Sequence, residues 1–352
     1  MKMTKMGVAT GLVLCSAYVH AQSNVTVYGV ADAGIEIVNR VPVAAGGTDT
    51  VVRLQSGNAQ SSRIGFRGRE DLGNGLAAVF TLENGFDISD GTLSNGGRLF
   101  GRSAYVGLSG GFGEIQLGRQ TTVIYDFALA FDPTAPTRYS TPMFDPAFVG
   151  RADNAIKYIG KFGAVVLKSQ YSLGFNGIAP GAAEVAGAYK VGKEFGLEAE
   201  YGVAKNVLVG FAYDRQNGTS VATQNNHDQR VAIAATVHLN PVKLFLAAHR
   251  LTRDTPAAST DTGLYWAGLQ YQATPALSVA ATVYYQDLPG DAGNPLSVSV
   301  FGSYALSKRT DIYSQLGFAK NSATSNLGLN GYGTVQRGSN QQGLIAGLRH
   351  RF

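Results

Sequence analysis

Hydrophobic and polar residues alternate along much of the chain, in runs of about ten residues. In the first run Val25, Val27 and Ile35 share one face, whereas Thr26 and Asp32 share the other. A period of two over this length predicts β-strands whose two faces meet different surroundings. Further alternating runs lie at 63–72, 207–213, 230–239, 277–285, 296–304 and 343–352.

Short turns and longer polar segments separate these runs. The turns carry Gly, Asn, Pro or Lys, which suit a tight reversal between two strands. Seven turns and eight longer segments make fifteen connections and therefore predict sixteen antiparallel strands. Short turns at one end and long loops at the other are typical of bacterial outer-membrane barrels. The turns are expected at 72–75, 110–113, 160–163, 203–206, 240–243, 273–276 and 306–309, and the longer segments near 39–60, 88–98, 121–151, 175–193, 217–228, 252–262, 288–294 and 321–340.

Composition supports an all-β chain in a membrane. The sequence has 45 Gly, 17 Tyr and 17 Phe, and only 15% of its residues are charged, which favours strands and tight turns over helices. After residue 21 no apolar run reaches the roughly 18 residues that a membrane helix needs. A transmembrane β-barrel fits these facts because its strands present apolar side chains to lipid only at alternate positions.

The N-terminus predicts export. Lys2 and Lys5 precede a short apolar run, and Ala21 closes a set of small residues suited to cleavage. We therefore expect a signal peptide over 1–21 and a single barrel domain over 22–352. A buried N-terminal helix is the alternative.

Cysteine and charge exclude other classes. The one cysteine, Cys15, lies in the expected signal peptide, so the mature chain cannot form an internal disulfide. Removal of the first 21 of 352 residues leaves 331, with 27 basic and 24 acidic side chains and a net charge of +3. So mild and dispersed a charge gives no reason to expect a nucleic-acid partner.

Aromatic residues at the ends of runs also fit a barrel, where they form belts at the membrane interfaces. A soluble β-sandwich is the alternative, since it too carries aromatic residues on strands. The final run favours the barrel because it alternates up to Phe352, an aromatic residue suited to anchoring a closing strand at an interface. The other aromatic residues considered are Tyr201, Tyr213, Tyr271, Tyr285 and Phe318.

Four stretches together resemble the trimeric general porins of Gram-negative bacteria, in particular the beta-proteobacterial branch. The resemblance implies a sixteen-stranded barrel in the outer membrane, a homotrimer, a water-filled lumen and a third extracellular loop folded inward. It also implies contact with outer-membrane lipid and lipopolysaccharide, no cofactor, and a C-terminal signal, including His350 and Phe352, read by the barrel-assembly machinery. The stretches are SNVTVYGVADAG (23–34), SRIGFRGREDLGNGLAAVFTLE (62–83), GRSAYVGLSGGFGEIQLGRQ (101–120) and GLRHRF (347–352).

Arginines are the candidate pore-lining bases. By resemblance, Arg63, Arg102 and Arg151 match the arginine cluster of porin constrictions, and alternation places Arg67 on the same lumen face as Arg63. Arg69 stands where relatives tend to have a small polar residue, so the lumen wall is expected to be more basic. Arginine suits this role because it stays charged at physiological pH. The alternative is that these arginines only pair with lumen acids, namely Asp32, Glu70, Asp71 and Glu83.

The segment 121–150 is the candidate inward loop. Its aromatic residues and prolines argue against disorder, and a structureless segment of this length is usually functional. We expect Asp126 and Asp132, and less strongly Asp145, to face the arginines across the pore. An ordinary surface loop is the alternative. With the basic set larger than the acidic one, the sequence predicts mild anion selectivity.

Other functions are less well supported. The four histidines of the mature chain lie in separate predicted elements, and no G-x-S-x-G or H-E-x-x-H motif or metal-ligand spacing occurs, so we do not expect an enzyme or a metal site. A substrate-specific outer-membrane channel or an adhesin on the same barrel stays open as the alternative. These histidines are His227, His238, His249 and His350.

Overall fold

A computed structural model describes residues 24–176, 184–290, 292–329 and 333–352, so the expected signal peptide lies outside the described residues. Within these ranges seventeen β-strands form a single antiparallel sheet. The sheet closes on itself because the first strand pairs with the last from Val30↔Arg351 to Val38↔Gly343. Closure leaves no free sheet edge, which a barrel in lipid requires.

Short helical segments accompany the strands of the described chain. They are the single helical turn α1 (Ser94–Gly97), the helix α2 (Val123–Phe131) and two 3₁₀ turns, at Thr141–Met143 and Pro146–Val149. No helix among the described residues is long and apolar enough to cross a membrane. The strands are β1 (Asn24–Pro42), β2 (Thr48–Ser56), β3 (Arg63–Gly73), β4 (Leu76–Gly85), β5 (Ser103–Gly110), β6 (Gly113–Thr121), β7 (Arg151–Phe162), β8 (Val165–Ser172), β9 (Glu194–Ala204), β10 (Val207–Asn217), β11 (His227–Leu239), β12 (Val242–Asp254), β13 (Ser259–Gln272), β14 (Leu277–Asp287), β15 (Leu296–Ala305), β16 (Thr310–Lys320) and β17 (Gln341–Arg351).

The second barrel strand is interrupted. Both β2 and β3 pair with β1 along the same edge, from Pro42↔Thr48 to Ala33↔Ser56 and from Val30↔Arg63 to Asn24↔Arg69. Counted as one, they give the described part of the chain the sixteen barrel strands that the sequence predicts. The expected long loop at 39–60 is wrong, however, because residues 48–56 are strand.

Asp32 explains the break between β2 and β3. Its carboxylate accepts hydrogen bonds from the backbone amides of Asn58 (3.2 Å), Ala59 (3.0 Å) and Gln60 (2.7 Å). These amides would otherwise serve the strand ladder. The hydroxyl group of Tyr313 on β16 also donates to this carboxylate. The break between β2 and β3 is therefore linked to β16, the strand next to β17.

The two faces of the strands differ as the alternation predicts. On β1 the inward residues Asp32 and Glu36 are fully buried, whereas Ile35 and Ile37 are exposed on the outside. Apolar side chains exposed to water would be costly, but toward lipid they are stable. The same outward exposure recurs around the barrel, for example at Leu246 and Leu316.

Most connections follow the expected division into short turns and long loops. Between β10 and β9, for instance, Val207 pairs with Ala204, so only Lys205 and Asn206 form the turn. One expected long loop is much shorter, because β12 and β13 extend to Asp254 and Ser259 and leave four residues between them. Most of the polar residues at 252–262 therefore belong to the ends of these two strands and not to a loop.

The segment between β6 and β7 folds into the barrel. Thr122 caps α2 by accepting a hydrogen bond from the Tyr125 amide at 3.3 Å. One face of α2 is apolar and packs against the inner wall formed by β10 to β14. This packing fixes the loop inside the lumen, as the resemblance implies. The buried residues of this cluster are Ile124, Phe127, Ala128, Phe131, Ala147, Phe148, Ala212, Ala232, Ala234, Ala247, Leu264, Trp266 and Tyr284.

The middle of the inward loop reaches the opposite side of the barrel. Tyr139 packs in a second buried cluster with Val38, Tyr313 and Ile345, and its hydroxyl group donates to Glu36 on β1 at 2.6 Å. On the way, Thr137 accepts a hydrogen bond from the Gln315 side chain at 2.7 Å. The loop is therefore attached to the inner wall at several points along its length.

Candidate channel constriction

Glu83 on β4 gathers two of the predicted arginines. Its Oε1 atom lies 2.6 Å from Nε of Arg102, and its Oε2 atom lies 3.3 Å from Nε of Arg63. The Tyr28 hydroxyl group donates to Oε2 at 2.9 Å. Arg63 pairs with Gly85 across the β3–β4 ladder, so these side chains project inward from adjacent strands.

Arg151 joins this group to the inward loop. Its Nε donates to the carbonyl oxygen of Arg102 at 3.0 Å, and its guanidinium lies over the ring of Tyr125, 5.3 Å from the centroid. A cation over an aromatic ring is favourable. Because Tyr125 belongs to α2, the loop braces the cluster. The structure thus brings together Arg63 on β3, Arg102 just before β5 and Arg151 at the start of β7. We call these three the arginine cluster.

Arg67 and Arg69 continue the basic wall toward the short turns. Arg67 faces Thr26 across the β1–β3 ladder and lies over the ring of Tyr28, 5.1 Å from the centroid. Arg69 lies two residues farther along β3, beside the same lumen groove as Asp71. Both are exposed, in contrast to the nearly buried Arg102. Their guanidinium groups are therefore more accessible than that of Arg102.

Asp126 lies on α2, and its charge is already paired. Its Oδ2 is 2.6 Å from Nζ of Lys157 on β7, and its Oδ1 accepts a hydrogen bond from Thr121 at 2.9 Å. Lys157 is buried, and its ammonium group has this carboxylate beside it. The sequence predicts that Asp126 faces the arginines across the pore, but in the structure its carboxylate is paired with Lys157.

Asp132 does not line the pore. Only 2% of the residue is exposed, and its carboxylate accepts bonds from Tyr284 (2.8 Å) and from the amides of Thr134 (2.9 Å) and Thr141 (3.1 Å). Burial raises the pKa of this carboxyl group, although the hydrogen bonds oppose the rise. The expectation that it faces the arginines is wrong, because the loop turns this residue toward the wall.

Asp145 also turns away from the pore. Its Oδ2 lies 2.7 Å from Nε of Arg230 on β11 and 3.7 Å from Nε2 of His249 on β12. Its Oδ1 caps the second 3₁₀ turn by accepting from the Ala147 amide at 3.0 Å. Burial alone would raise the pKa of Asp145, but the Arg230 guanidinium outweighs it and lowers that pKa. The predicted pore acid is instead an anchor of the loop.

Asp32 and Glu83, the two predicted wall acids, have different roles. Asp32 is fully buried and holds the break between β2 and β3, so it offers no accessible charge to the lumen. Glu83 touches the arginine cluster and partly neutralises it. The alternative that lumen arginines pair with acids therefore holds for Arg63 and Arg102. No acid lies within 4.0 Å of the Arg151 guanidinium among the described residues.

Sequence reasoning missed a second charged group beside the arginine cluster. Asp153 on β7 lies 2.7 Å from both Arg98 and Arg119, and Arg119 also donates to the carbonyl oxygen of Gly101 at 2.7 Å. These residues come from an extracellular loop and two strands. The alternation along one strand does not predict such a group, because its members lie on different elements and come together only in the folded barrel.

The C-terminal residues close the barrel. The backbone of Phe352 exchanges two hydrogen bonds with Gly29, at 3.0 and 3.1 Å. The Phe352 ring covers the outer face of Gly29, where a Cβ atom would lie 2.2 Å from the ring. His350 bonds Thr310 at 2.9 Å and stacks on Phe352 at a centroid distance of 6.4 Å. These contacts are compatible with the proposed assembly signal, which stays a prediction.

Comparison with known proteins decides the family. A family model described as Gram-negative porin matches residues 8–324. The chain belongs to the Gram-negative porin family. It is therefore an outer-membrane porin, whose barrel encloses a channel for small hydrophilic solutes.

Individual relatives agree with this assignment. The chain is 29% identical to outer membrane porin protein 32 of Delftia acidovorans, covering 99% of this chain and all of that one. It is 27% identical to major outer membrane protein P.IB of Neisseria meningitidis, covering 97% and 98%. The anion-selective porin from Comamonas acidovorans matches in structure with a TM-score of 0.82 and 26% identity, over 94% of this chain and all of that chain.

Proposed function

We propose that this porin admits small hydrophilic solutes by passive diffusion and prefers anions mildly. One observation carries the proposal: the arginine cluster holds three cations, and Glu83 is the carboxylate that pairs with it among the described residues. The acids of the inward loop are turned away, Asp132 and Asp145 by burial and Asp126 by its bond to Lys157. The narrow passage therefore carries a net positive charge, which favours anions.

The relatives support the sign of this selectivity. The anion-selective porin from Comamonas acidovorans is similar to this chain over nearly its whole length. The test is the reversal potential of single channels in planar bilayers across a potassium chloride gradient. We expect the sign of the reversal potential to show that chloride permeates more readily than potassium. A clear cation preference would reject the proposal.

Solute size distinguishes general diffusion from a dedicated channel. Liposome swelling with sugars of graded size should show a smooth fall in rate as the solute grows. One strongly favoured solute would instead support the substrate-specific channel, and an absence of swelling in folded protein would support an adhesin. The described residues that bear on permeation act by charge and size, and no catalytic role forms part of the proposal.

We propose further that the porin is a homotrimer whose contacts use strands near both chain ends. Most exposed large residues on β1 to β3, β16 and β17 are aliphatic, with Phe66 as an exception and Phe352 just after β17, whereas aromatic residues such as Tyr171, Phe195, Tyr265 and Tyr285 lie outward on β8 to β14. Interfacial aromatic residues suit contact with lipid, and smooth aliphatic surfaces let barrels approach. The exposed aliphatic residues at the chain ends include Ile35, Val52, Leu54, Ile312, Leu316, Leu344 and Leu348.

Site-directed labelling tests the trimer face. Because the mature chain has no cysteine, a fluorophore can be attached at Leu54→Cys or at Ile233→Cys on β11. In bilayers with brominated lipid, the label at 233 should be quenched and the label at 54 shielded. Equal quenching would reject the assigned face. Contact with lipopolysaccharide and with the barrel-assembly machinery belongs to the same proposal.

A further inference from the structure

A small groove lies on the outer, lipid-facing wall near the extracellular ends of β8, β9 and β10. Its volume is about 180 Å³, and Tyr171, Phe195, Lys193 and Arg215 border it. Tyr171 pairs with Phe195 across one ladder, and Phe195 pairs with Arg215 across the next, so the three side chains lie side by side on one face. We call this feature the cationic groove.

Arg215 is exposed and has no carboxylate partner. Among the described residues no acidic oxygen lies within 4.0 Å of its guanidinium. Its cross-strand neighbours are Phe195 and Gln229, which are uncharged. Glu194 also borders the groove, but it is fully buried and its carboxyl group accepts a bond from Gln216 at 3.3 Å on the lumen side.

Lys193 adds a second cation above Arg215. It directly precedes β9, and its Nζ donates to the carbonyl oxygen of Leu173, a neutral acceptor. The backbone amide of Asn217 donates to the carbonyl oxygen of Lys193 at 2.9 Å, which places Lys193 one step beyond Arg215 toward the outside. The two cations therefore share the groove without a neutralising acid.

The position of the groove points to the headgroup region. Arg215 lies two residues before the end of β10, and the connection from β8 to β9 is one of the long loops. Phe195 and Tyr171 are 46% and 42% exposed, and their rings mark the level of the interfacial belt. Cations at this depth face the polar headgroups of the outer leaflet rather than its hydrocarbon.

Arg250 on β12 shows what a neutralised outer arginine looks like. It also faces outward and is exposed, yet its Nε and Nη2 atoms donate to the two carboxylate oxygens of Asp261 on β13, at 3.0 and 2.7 Å. A bidentate pair of this kind leaves little charge for a third group. The chain thus supplies a matched comparison, one paired and one unpaired arginine on the same outer wall.

We propose that the cationic groove binds a phosphate group of a phosphorylated lipid of the outer leaflet. Arginine and lysine in a headgroup region attract anionic lipids, and the guanidinium fork fits phosphate oxygens. The exposed aromatic rings below give the apolar part of such a lipid a surface to lie on. The inference rests on the outer-membrane placement of the barrel and on the long loops lying outside.

Binding of lipid A to the purified porin in detergent tests the proposal. Phosphorylated lipid A is compared with chemically dephosphorylated lipid A, by native mass spectrometry of the intact porin, for the wild type, Arg215→Gln, Lys193→Gln and Arg250→Gln. The wild type should bind the phosphorylated form more tightly. Arg215→Gln and Lys193→Gln should each weaken that binding about fivefold, and Arg250→Gln should leave it unchanged.

Several outcomes would overturn the proposal. Equal binding of the two lipid forms excludes phosphate recognition, and an equal loss in Arg250→Gln reduces the effect to overall charge. Displacement of the lipid by millimolar inorganic phosphate would indicate a site for the free ion instead. Channel conductance and reversal potential are measured for every variant. If the wild type conducts with an anion preference but does not distinguish the two lipid forms, this inference alone is rejected. If the wild type shows no anion preference, the proposed channel function is rejected.

Discussion

The carboxylate of Asp145 on the inward loop lies 2.7 Å from the guanidinium of Arg230 on β11. Arg230 in turn contacts Asp214 at 3.1 Å and Asp228 at 3.2 Å, so one buried cation organises carboxylates from three elements. A residue that looked like a pore acid therefore holds the constriction loop to the barrel wall. Its loss should change the motion of the loop more than the selectivity of the pore.

Asp145→Asn should loosen the loop. The substitution removes one of the three carboxylates that contact the buried Arg230, and the loss of a charge-assisted hydrogen bond of this kind costs on the order of 2 kcal/mol. We expect noisier open-channel currents and a lower temperature of unfolding, with a small change in reversal potential. Asp261→Asn, which breaks an exposed pair on the outer wall, serves as the control and should be silent. Quiet, wild-type currents in Asp145→Asn would contradict the anchor.

Acid should act on the same anchor. Because the pKa of Asp145 is lowered in the folded chain, its stabilising effect is complete above the ordinary aspartate pKa of about 4 and is lost as pH falls through the lower folded value. Current noise should therefore rise below about pH 4 in the wild type. Asp145→Asn should lack this pH dependence. The pKa of Asp132 is raised in the folded chain, so protonation of this residue as the pH falls stabilises the fold and opposes the effect of Asp145.

Glu83→Gln should increase anion selectivity. The substitution removes the carboxylate that lies 2.6 Å from Arg102 and 3.3 Å from Arg63, so more of the positive charge of the cluster reaches the lumen. The anion-to-cation permeability ratio should rise on the order of two- to fivefold at low salt. Reversal potentials measure the change, which should shrink in molar salt because the charges are screened. A fall in the ratio would show that Glu83 does not limit the charge of the pore.

Arg63→Gln should have the reverse effect, and position along β3 should matter. Arg63 lies in the arginine cluster, whereas Arg69 lies six residues farther toward the short turn. We expect Arg63→Gln to lower the anion-to-cation permeability ratio by two- to fivefold, roughly, and Arg69→Gln to lower it less. Equal effects of the two substitutions would place the narrowest section elsewhere.

Deletion of Phe352 should impair assembly. The residue pairs with Gly29 on β1 through two backbone hydrogen bonds and covers the same glycine with its ring. Without it the closing strand loses the contact that finishes the cylinder. Folded, heat-resistant barrel recovered from membranes should fall several-fold. Phe162→Ala, which removes an exposed aromatic residue at the end of β7, is the matched control and should assemble normally. Normal yields after the deletion would remove this role.

The sequence by itself determined the architecture. Alternation such as that of Ile35 and Glu36 reflects a local rule, because successive side chains on a strand point to opposite faces whatever the strand pairs with. Turn residues obey local backbone preferences, so the number of barrel strands followed as well. Arg63, Arg102 and Arg151 were assigned by resemblance, and the register of their strands brings them together.

Only the tertiary structure decided where each charge acts. Asp126, Asp132 and Asp145 share one loop, and no local pattern states which wall residue each will meet. Their partners Lys157, Tyr284 and Arg230 lie on three separate strands. The orientation of a loop depends on packing against distant strands, and the cost of burying a charge depends on that packing too. For the same reason the extra strand at 48–56 escaped prediction, since Asp32 holds its end from another part of the chain.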